Sequence, residues 1–190
     1  MIGETVKGVK VEDVAAILDN KYINFKIACK ENKKVVNIGV SVCQQSGGSS
    51  VQAALKQLLD YKKFDLTRGC LVRSKRINPN AKSAHSYLEQ LLKKQGGEWV
   101  LLQSEDIKPL LAISFVYCGR EGYELSEEEI FDYIKHKGIA INNPLIREIL
   151  SDPSGQIPEN AVDEDLPTNI PRMTNVSDSA DLLALDVIAH

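Results

Sequence analysis

The chain has 190 residues, with 23 Lys and Arg against 26 Asp and Glu, and 43% of its residues are hydrophobic. This length suits one compact domain or a core domain with a small appendage, and the apolar fraction excludes a disordered chain. No apolar run approaches the roughly 20 residues that span a bilayer. The N-terminus lacks the apolar stretch of a secretory signal, so we expect a cytoplasmic protein with no membrane partner.

Apolar periodicity in the first half predicts the order α-β-β-α-β. Residues 9–20 place apolar side chains at helical spacing, which predicts a short amphipathic helix. The segments 22–29 and 35–42 are rich in β-branched residues and flank a polar turn, so they predict a hairpin. A helix follows at 51–64, and a third short strand is predicted at 69–73.

After an Asn-Pro-Asn turn, the pattern changes to helices. A capping box at Ser126 and a glycine at Gly138 mark the two ends of one of them. Because four acidic side chains crowd that helix, we favour a packing or partner-binding helical cap over a DNA-binding helix-turn-helix module. The predicted helices are 81–94, 104–117, 126–137, 143–151 and a small one at 181–189, with a brief strand at 98–102.

Charge is distributed unevenly along the chain. Residues 151–190 carry eight acidic side chains and only Arg172 as a basic one, which leaves 22 basic and 18 acidic residues for positions 1–150. A mildly basic body and a separate acidic tail are expected.

Together, the predicted elements and the charge distribution predict an α+β protein with a small mixed sheet flanked by helices. It is divided into a core at 1–78, a helical subdomain at 79–151 and a largely flexible acidic tail at 152–190.

The cysteines and histidines show no metal-ligand spacing. A zinc site needs paired ligands a few residues apart, and no such pairs occur. Reduced thiols, three of them in apolar strand-like runs, and no metal site are therefore predicted. The four cysteines are Cys29, Cys43, Cys70 and Cys118.

The predicted helix after the hairpin carries Gln57 and Tyr61 in the pattern Q-x-x-x-Y. Together with the order helix, hairpin, helix, strand over about residues 9–75, this resembles the PD-(D/E)xK, or restriction-endonuclease-like, superfamily, whose RecB-type nucleases carry that motif. The resemblance implies a cleft lined by Gln57 and Tyr61. A simpler interpretation places the two side chains at i and i+4 on the margin of the core.

The resemblance also implies where catalytic residues would fall. An early acidic residue would align near Asn24, and the (D/E)-x-K tripeptide would align with Ser41-Val42-Cys43. Neither carboxylates nor a lysine stand there, and Asn, Ser and Cys do not supply the negative charge that Mg²⁺ requires. The resemblance therefore implies an inactivated nuclease core with no cofactor.

A basic stretch follows the third predicted strand. Between positions 62 and 94 there are nine basic residues and two acidic ones. Cationic side chains at a strand end, with Asn and Ser donors nearby, can bind phosphates. A solvated charged surface is the simpler interpretation of this stretch. The predicted nucleic-acid contacts are Arg68, Arg73, Lys75, Arg76 and Lys82.

Three functional hypotheses follow. The first is a non-catalytic nucleic-acid-binding or assembly module. The second is an active Mg²⁺-dependent nuclease with relocated ligands drawn from Asp19, Glu31 and Asp60. The third is a protein–protein adaptor that recruits a partner through the helical subdomain or the acidic tail, and whose tail masks the basic face.

Overall fold

The computed structural model describes residues 2–163 as a six-stranded mixed sheet with helices on both faces. The strands lie in chain order, with antiparallel pairing from β1 to β4 and parallel pairing from β4 to β6. The α+β class and the mixed sheet are confirmed. The strands are β1 (Thr5–Val6), β2 (Val9–Ala16), β3 (Phe25–Glu31), β4 (Lys34–Val42), β5 (Arg68–Arg73) and β6 (Glu98–Leu101).

The helix predicted at 9–20 is wrong, because this segment forms β2 and pairs with β3. Its register shifts between Val11 and Asp13, where a β-bulge inserts one extra residue. The bulge returns Val14 to the same buried face as Val11. The two inward side chains are therefore three positions apart, which imitates helical spacing, whereas the β-branched valines favour the strand.

The predicted hairpin is confirmed by β3 and β4. Glu31 pairs with Lys34, so only Asn32 and Lys33 form the turn. Both turn residues have positive φ values, 48° and 70°, as in the type I′ turns that suit the twist of a two-residue hairpin.

One helical layer packs on the first face of the sheet. It comprises α1 (Gly48–Leu58), α2 (Tyr61–Phe64) and α3 (Lys82–Glu89), which continues as a π-helical segment at Gln90–Lys94. These helices lie in the two crossovers that join the parallel strands β4, β5 and β6. Their apolar side chains share one core with Ile23, Leu71 and Trp99 of the strands and the loop before β3.

The opposite face of the sheet carries the second layer. Its four helices are α4 (Ser104–Cys118), α5 (Glu127–Lys137), α6 (Ile139–Asn142) and α7 (Pro144–Ile149). The predicted capping box is confirmed, since Ser126 Oγ accepts from the Glu129 backbone N–H while the Glu129 carboxylate accepts from the Ser126 N–H. Gly138, in the left-handed conformation, ends α5 as expected.

The last described residues form a strap, 152–163, that runs from α7 to the end of β5. Ser154 donates through its N–H and Oγ to the buried Glu98 carboxylate. Ala161 is buried in the first-face core, and Val162 forms a parallel bridge with Lys75. The predicted helix at 181–189 and most of the acidic tail lie outside the described residues.

The core was predicted to end at position 78, but the sheet also includes β6, which comes later in the chain and pairs with β5. Within residues 2–163, none of the helices is long and apolar enough to cross a membrane.

Candidate nucleic-acid interface

The three positions aligned with catalytic residues lie at one end of the sheet, where the side chains of Asn24 and Ser41 form hydrogen bonds with the backbone. Asn24 Oδ1 accepts from the Val42 N–H at 2.8 Å. Ser41 is fully buried and its Oγ donates to the Tyr22 carbonyl at 2.5 Å, while Cys43 is also buried. Asn24 and Ser41 therefore join the segment before β3 to the end of β4, while the Cys43 thiol lies 3.8 Å from Gln45 Oε1 in the β4–α1 loop.

The carboxylates considered as relocated Mg²⁺ ligands do not converge. Glu31 lies at the end of β3 opposite Asn24, where it pairs with Arg68 at 2.9 Å. Asp60 caps α2 by accepting from the Lys63 N–H, and Asp19 lies in the β2–β3 loop. Within residues 2–163, no three or more Asp, Glu, His or Cys side chains form a group able to hold a metal ion. Asp19, Glu31 and Asp60 therefore do not come together as one set of relocated ligands.

Gln57 and Tyr61 lie on two helices, because the predicted single helix breaks between α1 and α2. Gln57 Oε1 accepts from Asn20 Nδ2 at 3.1 Å. The Tyr61 hydroxyl accepts from the Gly69 N–H at 2.8 Å and donates to the Gln95 carbonyl at 3.3 Å. Burial raises the pKa of Tyr61, so the hydroxyl stays protonated at neutral pH and can serve as this donor. Gln57 therefore joins α1 to the β2–β3 loop, and Tyr61 joins α2 to β5.

Two of the predicted phosphate contacts are buried. Arg68 is 6% exposed and forms the ion pair with Glu31. Arg73 is fully buried, and its Nη1 donates to the carbonyls of Cys43 at 2.7 Å and Gln45 at 3.0 Å. The first guanidinium therefore joins β5 to the end of β3, and the second joins β5 to the β4–α1 loop.

Three predicted contacts lie at or near the surface after β5. Lys75 and Arg76 follow the strand directly, and Lys82 begins α3. The Arg76 guanidinium donates to the Glu159 carbonyl at 2.9 Å and lies 3.7 Å from the Asp163 carboxylate. The strap therefore reaches one of these cations.

Sequence reasoning missed Gln44, which ties the carboxyl ends of β4 and β5 together. Its Nε2 donates to the Val72 carbonyl at 3.1 Å, and its Oε1 accepts from the Ser74 N–H at 3.1 Å and from Ser74 Oγ at 2.7 Å. The only signal in the sequence was a polar residue immediately after a buried strand. Gln44 and Arg73 together shape the loops that frame this edge of the sheet.

The sheet separates two layers of opposite charge. Residues 44–97, which contain the first-face helices, carry ten basic and three acidic residues, a net charge of +7. Residues 102–151, which contain the second-face helices, carry five basic and nine acidic residues, a net charge of −4. Eight of the ten basic residues are not buried: Lys56, Lys62, Lys63, Lys75, Arg76, Lys82, Lys93 and Lys94.

Two of the four thiols have a raised pKa because they are buried. Within residues 2–163 none of the four cysteines forms a disulfide; Cys29, Cys43 and Cys70 are buried, while Cys118 is exposed. Burial raises the pKa of Cys29 to about 11 and raises that of Cys70 as well, so both stay protonated at neutral pH. Of the three cysteines predicted in strand-like runs, Cys29 lies in β3, Cys70 lies in β5 and Cys43 directly follows β4.

Comparison of the chain with protein-family models, with curated proteins and with solved structures gave no match.

Proposed function

We propose that this chain is a non-catalytic nucleic-acid-binding module with an inactivated restriction-endonuclease-like core. The observation that carries the proposal is the separation of charge by the sheet, which concentrates basic side chains on one layer. Lys75, Arg76 and Lys82 lie on that layer, close to the carboxyl end of β5. Ligands of open sheets with parallel strands commonly bind at such ends, and clustered cations release counterions from a phosphate backbone.

The order of elements supports the restriction-endonuclease-like part of the proposal. The hairpin β3–β4 is followed by α1, which carries Gln57, and then by β5 parallel to β4. A strand, β2, stands where the first helix of that order was expected. Asn24, Ser41 and Cys43 replace the acidic and lysine positions, so binding without cleavage is the function that these residues favour.

The test is a joint replacement of Lys75, Arg76 and Lys82 by Ala. We expect the affinity for a mixed-sequence DNA duplex to fall by about tenfold or more at about 50 mM salt. The slope of log affinity against log salt should decrease by about two to three, since each lost phosphate contact removes about 0.9. Fluorescence anisotropy at two or more salt concentrations measures both quantities.

A matched control for this triple variant lies on the acidic layer. Replacing Lys108, Lys135 and Lys137 by Ala removes the same charge from α4 and α5, and should change the affinity by less than about twofold. Equal losses in the two triple variants would show that only net charge matters and would contradict the proposal. Duplex cleavage that needs Mg²⁺ and stops with EDTA would support the nuclease alternative instead.

The strap predicts partial masking of this surface. Asp163 lies beside the Arg76 guanidinium, so Asp163→Asn should free that cation and strengthen duplex binding by about two- to fivefold at low salt, because surface ion pairs are worth about 0–1 kcal/mol. Asp152→Asn is the control, since Asp152 is an exposed strap residue with the same change of charge. Identical affinities for the two variants would rule out masking by Asp163.

A further inference from the structure

An apolar groove of about 580 Å³ lies between α4 and α5 on the acidic layer. Each helix contributes a stripe of side chains at the i, i+3, i+4 spacing of a single helix face. The groove is lined by Pro109, Ala112, Ile113 and Val116 of α4, by Glu129, Ile130, Tyr133 and Ile134 of α5, and by Leu125 and Ile139.

Much of this apolar lining is exposed to solvent. Val116 is 38% exposed, Leu125 is 37% exposed and Tyr133 is 57% exposed. Ile113, Ile130 and Ile134 form the floor, because each is buried and belongs to the core of the second face. Exposed contiguous apolar surface of this kind is typical of a binding groove.

The charges around the groove indicate the chemistry of its occupant. Residues 104–137 carry eight acidic and four basic side chains. Among the described residues that line the groove, Glu129 is the only charged one, and hydrogen bonds from Ser126 lower its pKa, so its carboxylate is ionised at neutral pH. A cationic occupant is favoured, whereas a second copy of this acidic layer would be repelled. The acidic segment 151–190 of the same chain would be repelled for the same reason.

We propose that this groove binds a basic amphipathic helix of a protein partner. The α4 stripe from Pro109 to Val116 covers two turns, or about 10 Å, which suits a helix with apolar anchors at i, i+3, i+4 and i+7. Ala112 contributes only a methyl group, so the partner helix can approach the α4 backbone there. Peptide binding in this groove is independent of nucleic-acid binding, because the groove lies on the face of the sheet opposite the basic layer.

The experiment uses a fluorescent synthetic peptide of about 14 residues, built from Leu and Lys with Leu at helical spacing. The full chain is expected to bind it at least about tenfold more tightly than a peptide with Glu in place of Lys, and more tightly than a scrambled Leu/Lys peptide. Equal binding of the Lys and Glu peptides, or of the Lys and scrambled peptides, would overturn the proposal.

Two matched pairs of variants locate the binding. Ala112→Arg fills the groove and should weaken peptide binding by about tenfold or more, whereas Phe115→Arg, at a 73% exposed position outside the lining, should not. Glu129→Gln keeps the capping box and should weaken binding by about threefold, whereas Glu128→Gln should not. Equal effects within both pairs would show non-specific attraction and overturn the assignment.

Two further measurements keep the result interpretable. Thermal unfolding followed by circular dichroism checks that Ala112→Arg is folded. If Ala112→Arg is unfolded, Tyr133→Ala on α5 replaces it in the test and should also weaken peptide binding. Sedimentation of the chain alone tests self-association. A dimer that Ala112→Arg converts to a monomer would assign the groove to a second copy and overturn the partner proposed here.

Discussion

Replacing Arg73 with Ala is expected to lower the free energy of unfolding by about 3 kcal/mol. The Arg73 guanidinium is fully buried and donates to the carbonyls of Cys43 and Gln45. Its removal leaves those two acceptors without this donor, and each buried acceptor that loses its hydrogen bond costs about 1–3 kcal/mol. The loss of the packed side-chain stem adds to this cost.

Urea unfolding followed by circular dichroism measures the effect, and Arg76→Ala is the matched control. The Arg76 side chain is 46% exposed and its ion pair lies at the surface, so its removal should cost less than about 1 kcal/mol. Similar unfolding midpoints for Arg73→Ala and Arg76→Ala would contradict the structural role given to Arg73. The same pair tests the proposed interface, since Arg76→Ala should weaken duplex binding while leaving the fold intact.

Replacing Trp99 with Ala is expected to lower the free energy of unfolding by about 3–5 kcal/mol, the usual cost of removing a buried aromatic side chain. Trp99, on β6, is 1% exposed and packs in the core of the first face. Its Nε1–H donates to the Arg73 carbonyl at 3.1 Å. The substitution therefore removes a large part of the core and a bond between β5 and β6.

Trp99→Phe separates these two contributions in part, because it keeps an aromatic ring in the core while it removes the N–H donor and the extra volume of the indole. We expect it to cost about 1–2 kcal/mol. Phe115→Ala, at a 73% exposed position, is the control and should be nearly neutral. Trp99 is the only tryptophan in the chain, so far-ultraviolet circular dichroism is the suitable probe of unfolding. A cost below 1 kcal/mol for Trp99→Ala would contradict its place in the core.

Local signals in the sequence were sufficient to predict several structural elements. The hairpin, the capping box at Ser126 and the helix end at Gly138 were all predicted, because each depends on residues close together in the chain. The helix predicted at 9–20 failed for a local reason as well. A single bulged residue changed the spacing of Val11 and Val14, and a bulge has no reliable signature in one sequence.

The candidate sites could be predicted only in part. Lys75, Arg76 and Lys82 were identified from charge density and lie at or near the surface. Arg68 and Arg73 lie in the same basic stretch but are buried, where Arg68 pairs with Glu31 and Arg73 donates to the Cys43 carbonyl. Both partners come from distant segments of the chain, so the sequence did not reveal them. No periodicity distinguishes an arginine that pairs across the fold from one that faces solvent. Partner binding by the helical subdomain was among the predictions, but the sequence did not locate the groove between α4 and α5.

The sequence by itself determined the α+β class, most of the local elements and the presence of a basic stretch beside acidic ones. These properties depend on residue type and on short-range spacing. Only the tertiary structure decided that the sheet separates the two charges. It also decided that the strap reaches Arg76 and that two predicted phosphate contacts hold the core together. Each of these features arises from contacts between residues far apart in the chain, which burial and hydrogen bonding select when the whole fold forms.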